Sequence, residues 1–190
     1  MKIELVFLCL ELILKNWRQN GSTICGENGR GDKLNQLSDP VGIFIDKHQN
    51  IFIADSGNDR IVQWKRNENR GTIVAGGNRR GNRLNQPTDV IVDEQNNSII
   101  IADFGNRRFN SPSFLFVDDE QSLYVSDWDN HCVMKWRKDA QEGIVVAGRN
   151  GCGENLNQLN YPQGIIVDHE GRIYVVDYGN HRIQRFDLII

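Results

Sequence analysis

Residues 162–186 read PQGIIVDHEGRIYVVDYGNHRIQRF, and the same order of residue types returns three more times in this chain of 190 residues. The other copies are PVGIFIDKHQNIFIADSGNDR from Pro40, PTDVIVDEQNNSIIIADFGNRR from Pro87 and PSFLFVDDEQSLYVSDWDNHC from Pro112. All four prolines of the chain occupy the first template position. A proline's fixed φ and missing N–H suit the start of an extended segment. A short apolar run follows and ends in Asp, over residues 43–46, 90–93, 115–118 and 165–168. Apolar side chains at consecutive positions predict a strand buried on both faces. After a tight polar hairpin comes a second strand, such as residues 50–54 or 172–176, closing on Asp55, Asp103, Asp127 or Asp177. The tetrapeptides DSGN, DFGN, DWDN and DYGN then supply turn chemistry, because Asp and Asn hydrogen-bond nearby backbone and Gly permits positive φ. Third strands are expected over residues 60–64, 132–136 and 182–186.

A second element recurs beside the first: GSTICGENGRGDKLNQ from Gly21, GTIVAGGNRRGNRLNQ from Gly71 and GIVVAGRNGCGENLNQ from Gly143. These align without gaps and read as a fourth strand whose glycine-rich tail leads through LNQ to the next proline. Four antiparallel strands with apolar residues on both faces cannot bury those faces alone and must stack on neighbours around an axis. The expected fold is therefore all-β, a β-propeller of four-stranded blades whose repeats start near Pro40, Pro87, Pro112 and Pro162. A fourth-strand element at residues 23–26 comes first and a third strand ending at Phe186 comes last, so the N-terminal strand is expected to complete the C-terminal blade and latch the ring. The spacing is uneven: Asp46 to Asp93 is 47 residues and Asp118 to Asp168 is 50, but Asp93 to Asp118 is only 25. The second repeat is read as truncated, its third and fourth strands lost near residues 108–110.

The pattern P-x-G-I-x-V-D-x-x-G-x-I-Y-V-V-D-x-G-N-H-R-I-Q-x-F, from Pro162 to Phe186, resembles the NHL repeat. Its signature tripeptide stands here as Asn58-Asp59-Arg60, Asn106-Arg107-Arg108, Asn130-His131-Cys132 and Asn180-His181-Arg182. The resemblance extends over residues 21–187 and implies a propeller, usually of six blades. Some NHL-like propellers are zinc-dependent lyases acting on peptide hydroxyglycine, and some animal members bind single-stranded RNA.

Bulk properties narrow the function. With 39% hydrophobic and 25% charged residues the chain has ordinary globular composition. A net charge of −3 argues against a surface wholly committed to polyanions, although basic residues outnumber acidic ones over residues 65–108. Cys9, Cys25, Cys132 and Cys152 form no CxxC pair and no zinc-ligand spacing. At the N-terminus Glu4 and Glu11 interrupt an apolar stretch, leaving an uncharged run too short for a good signal sequence or a membrane span. Residues 1–20 are accordingly set apart as a leader and residues 21–190 as the propeller domain, soluble and of unassigned compartment.

Repetition also governs how individual residues are read. A residue present in every blade is more often needed by the blade, so Asp55, Asn58, Asp103, Asn106, Asp127, Asn130, Asp177 and Asn180 are taken as a structural signature of turns. Trp64, Trp136 and Phe186 close equivalent strands and are assigned to packing. Trp128 stands inside a turn where other repeats carry Ser56, Phe104 or Tyr178, and is a candidate for partner contact. His131 and His181 hold equivalent turn positions without an evident third ligand, and Arg79, Arg80 and Arg83 lie in one loop. These six residues, Trp128, His131, His181, Arg79, Arg80 and Arg83, form the expected partner-binding rim. The leading expectation is a non-catalytic scaffold for a protein or peptide partner, with no catalytic residue, metal or cofactor. Nucleic acid is a less favoured partner. The rival readings are an RNA-binding propeller and a metal-dependent lyase or hydrolase with an axial site.

Overall fold

The computed structural model describes residues 21–77, 83–106 and 111–187. Among the described residues thirteen strands follow the repeat, and each sheet is built from consecutive antiparallel neighbours. The first sheet contains β1 (Pro40–Ile45), β2 (Ile51–Asp55), β3 (Arg60–Trp64) and β4 (Thr72–Gly76). The second has β5 (Pro87–Asp93) and β6 (Ser98–Asp103). The third contains β7 (Pro112–Val117), β8 (Leu123–Asp127), β9 (Cys132–Trp136) and β10 (Ile144–Ala147). The fourth has β11 (Pro162–Val167), β12 (Ile173–Asp177) and β13 (Arg182–Phe186). Among the described residues the second unit is thus two-stranded, where the short spacing placed the truncation.

Local chemistry explains the hairpins. Asp46 Oδ1 accepts the N–H groups of His48 (2.9 Å) and Asn50 (2.8 Å), and Asp168 Oδ1 accepts those of Glu170 and Arg172 (3.0 Å each). A carboxylate that mimics a turn carbonyl in this way fixes the reversal between first and second strands. Every first strand also carries a bulge just after its proline, at Pro40/Ile43, Pro87/Asp89, Pro112/Phe114 and Pro162/Ile165. Each proline is preceded by a left-handed residue: Asp39 (φ 47°), Gln86 (φ 52°), Ser111 (φ 64°) and Tyr161 (φ 52°).

First strands of neighbouring sheets lie against one another, so the units stack through their proline-led edges. Phe52, Ala54 and Ile61 of the first sheet bury Val90 of β5; Tyr124, Val133 and Ala147 of the third bury Leu159, Ile165, Ile173 and Val175 of the fourth unit. Each such aliphatic side chain contributes about 1.5–3 kcal/mol when fully removed from water. Hydroxyls stitch the seams: Thr88 Oγ1 donates to the Pro112 carbonyl and Ser113 Oγ to the Pro162 carbonyl, both at 3.1 Å.

Two expectations change. The element at residues 23–26 forms no named strand; instead Cys25 and Leu37 pack on Ile53, Val62 and Trp64 of the first sheet, and β13 pairs with β12 as its one strand partner among the described residues. The latch is therefore not formed by these residues. The gap-free alignment of the three LNQ motifs also fails. A Cβ built on Gly26, Gly76 or Gly148 would meet Leu37, Leu84 or Leu159 at 3.2, 3.0 and 3.0 Å, so Leu84 is equivalent to Leu37 and Leu159 rather than to Leu34 and Leu156. Packing against the left-handed glycine, not the tripeptide, sets the register.

Candidate functional site

The end of each second strand lies beside the start of its own first strand, as the pairs Pro40↔Asp55, Pro87↔Asp103, Pro112↔Asp127 and Pro162↔Asp177 show. Turns and inter-unit loops thus gather on one edge of the stack. There Asp55 Oδ1 accepts the N–H of Ser38 (2.6 Å), Asp103 that of Asn85 (2.7 Å) and Asp177 that of Asn160 (2.7 Å). Asn58 and Asn180 donate to the second carboxylate oxygen at 2.8 and 2.9 Å, and also to the carbonyls of Gly31 and Gly153. Arg60 adds Nε to Asp55 Oδ2 (2.6 Å) and reaches the carbonyls of Asp32, Lys33 and Gln36. Arg182 repeats this on Asp177 and on Glu154, Asn155 and Gln158. The carboxylates hold the loop that feeds the first strand.

In the third unit Cys132 takes the arginine's place. Asp127 is bonded by Asn130 (backbone 3.2 Å, side chain 2.8 Å), and burial pushes its carboxyl above the usual aspartate range. The Cys132 thiol is pushed up to about 11 by burial and by the Asp127 charge. A thiol so weakly ionised is a poor nucleophile.

Trp128 leaves this turn to stack on Tyr161 at 5.0 Å and to contact Tyr178 at 5.5 Å between ring centroids; His131 lies 4.7 Å from Tyr161. Three rings and an imidazole from two units therefore make one aromatic cluster, with Tyr161 and Tyr178 exposed. His131 Nδ1 accepts the Tyr161 N–H at 3.1 Å, which leaves Nε2 as the donor of the neutral ring. Asp59 Oδ1 does the same for Gln86 N–H at 2.9 Å. The residue after the signature asparagine thus caps the left-handed residue of the next unit.

Of the remaining residues expected on the rim, His181 and Arg83 are exposed, with the His181 N–H donating to the Tyr178 carbonyl at 3.2 Å, while Arg79 and Arg80 lie outside the described residues. Arg30, which could have extended a basic stripe, is paired with Asp39 at 2.7 Å.

Asp89 was not singled out by its sequence. It occupies the template position of Gly42 and Gly164, inside the bulge of β5, and accepts N–H groups from Val90 (2.9 Å) and from Leu115 of the next unit (3.0 Å). Burial raises its carboxyl above the ordinary range, outweighing those two hydrogen bonds. The signal available in sequence was a lone acid in a slot that glycine fills in two other units. Among the described residues no group of three His, Cys, Asp or Glu side chains could hold a metal ion, and no helix is long and apolar enough to cross a membrane.

Solved structures with the same architecture are found at low sequence identity. A nidogen/laminin complex gives a TM-score of 0.63 at 16% identity over 80% of this chain and 62% of that one. The gluconolactonase from Xanthomonas campestris gives 0.59 at 15% over 82% and 60%, and a streptogramin B lyase 0.57 at 15% over 80% and 56%. The chain thus matches about three-fifths of the length of each of these. No curated protein matches it in sequence. Successive antiparallel sheets and these likenesses define an all-β protein of propeller-like fold. Its repeat is of the NHL type: the sequence model described as NHL repeat matches residues 159–186. Two of the three similar structures are enzymes, which overturns the expectation of a non-catalytic binding scaffold that is not an enzyme. The absence of a familiar catalytic motif was a weak ground for it, since a repeat scaffold fixes the fold and leaves the chemistry to a few grafted side chains. The nidogen/laminin complex shows that the fold also takes part in protein assembly.

Proposed function

We propose that this chain is an enzyme of the lyase or hydrolase class whose acid–base residue is Asp89. One observation carries the reading: a half-buried carboxyl, raised by burial, sits in a strand bulge on the edge where turns and loops converge. Bulges commonly re-aim side chains beside active sites. A carboxyl that holds its proton to higher pH can pass it to a leaving oxygen, and as the carboxylate can draw a proton from water or from carbon next to a carbonyl. The Trp128–Tyr161–Tyr178 cluster offers a flat apolar surface for a ring-bearing substrate, with His131 Nε2–H at its border as a donor to a carbonyl oxygen.

The similar enzymes suggest the probes: a gluconolactone and a streptogramin B, each incubated with the full chain and followed by loss of substrate. Asp89→Asn should reduce turnover about 100-fold or more while its melting curve shows a folded protein. Wild-type turnover in Asp89→Asn would remove Asp89 from the mechanism. No turnover of either probe by the wild-type chain would overturn the enzyme reading.

A further inference from the structure

Inside the stack, each unit's forward face is covered by the first strand of the next unit. Ile61 of β3 and Val133 of β9 are 0% exposed, and they pack with Val90 and Ile165, the fourth template residue of the unit that follows. The same two positions are bare at the ends. Ile183, the counterpart of Ile61 and Val133, is 66% exposed, and Ile43, the counterpart of Val90 and Ile165, is 62% exposed. Strand alternation places Ile45 on the side of Ile43, and the pairs Ile166↔Tyr174 and Val176↔Ile183 place Ile166 on the side of Ile183. Both of these flanking residues are exposed as well.

Polar groups repeat the pattern. Asp59 and His131 cap the left-handed residue before the next proline, and Thr88 and Ser113 donate to the next proline's carbonyl. In the fourth unit these template positions are held by His181 and Gln163. On the first unit the reciprocal groups are the Asp39 N–H and the Pro40 carbonyl. Neither the His181 imidazole nor the Asp39 N–H has a protein hydrogen-bond partner among the described residues.

We propose that the forward face of the fourth unit receives the first strand of a second copy of this chain, head to tail. Ile43 of one copy then packs on Ile183 of the other, the Asp39 N–H meets His181, and Gln163 meets the Pro40 carbonyl. The occupant is argued by continuity: the contact repeats, position for position, the junctions that already join the units within one chain, with the Gln163 amide as donor in place of the Thr88 and Ser113 hydroxyls. Such a contact is heterologous, using different patches on the two copies, and it is independent of Asp89.

Sedimentation of the full chain, over concentrations reaching about 1 mM, tests it. The wild-type chain should form species heavier than its 21.8 kDa monomer. Ile43→Glu and Ile183→Glu should each sediment as a monomer, since one variant lacks a sound head and the other a sound tail. Mixing the two should restore a dimer through the intact Ile43 of one and the intact Ile183 of the other. A wild-type chain that stays monomeric overturns the proposal, as does association that survives both substitutions or a mixture that fails to associate.

Discussion

The first and third sheets differ at one template position, and the difference explains what the recurrent arginine does. In the first sheet Arg60 lies over Asp55 and gathers three carbonyls of the loop that enters β1. In the third sheet Cys132 stands there, and only eight residues separate the end of β6 from Pro112, against fourteen between the end of β10 and Pro162. Where the entering loop is short, the side chain that would hold it is gone. Asp127 then remains buried without a guanidinium, which is why its carboxyl is raised.

The largest effect should come from breaking the buried pair of the first sheet. Arg60 and Asp55 side chains are 5% and 0% exposed, so Arg60→Met should cost about 3–5 kcal/mol in urea unfolding by leaving a buried charge unpaired. Arg182→Met should cost less, about 2 kcal/mol, because Arg182 is 28% exposed and water partly replaces it. Asp127→Asn should change stability by under about 1 kcal/mol at neutral pH, since it removes a carboxylate that burial already disfavours. A loss at Asp127 equal to that at Arg60 would refute the contrast between the sheets.

Acid should separate the third and fourth sheets by sign. Desolvation pushes the Asp168 carboxyl upward, but hydrogen bonds from the Arg172 guanidinium and backbone outweigh it and hold the group at about 2. A depressed carboxyl stabilises the fold above its ordinary value of 3.8, and that stabilisation is lost as pH falls from 3.8 toward about 2. The raised Asp127 carboxyl works in the opposite sense: its unfavourable contribution is present above its folded value and disappears on acidification. Unfolding curves of Asp168→Asn should therefore converge on wild type near pH 2 and fall below it at pH 5, whereas Asp127→Asn should converge in acid and gain relative to wild type at pH 5. The smallest effect is chemical: at pH 8 iodoacetamide should label exposed Cys152 well before buried Cys132, whose thiol stands at about 11.

Strand order and the third-strand boundaries were legible because apolar runs and Asp-x-x-Asn turns carry local chemistry that repeats at fixed spacing. β3, β9 and β13 begin and end at the expected residues. The exposure of β1 was not legible, because its residues match those of β11 and only the presence of a preceding unit decides whether Ile43 or Ile165 is buried. The aromatic cluster was half visible. Trp128 departed from its template, but Tyr161 belongs to a loop and its meeting with Trp128 depends on how two units stack. Asp89 was hidden for the same reason, since its second hydrogen bond comes from Leu115 across a seam.

The left-handed residue before every proline has a mechanical consequence. At Asp39, Gln86, Ser111 and Tyr161 the chain reverses its twist at a single non-glycine residue, a conformation that costs on the order of 1–3 kcal/mol unless the surroundings hold it. For Gln86 and Tyr161 the hold comes from the preceding unit, through Asp59 and His131. These four residues act as detents, fixing the heading on which the chain enters each successive sheet. A glycine placed at Gln86 should therefore loosen the angle between two units while leaving both sheets intact.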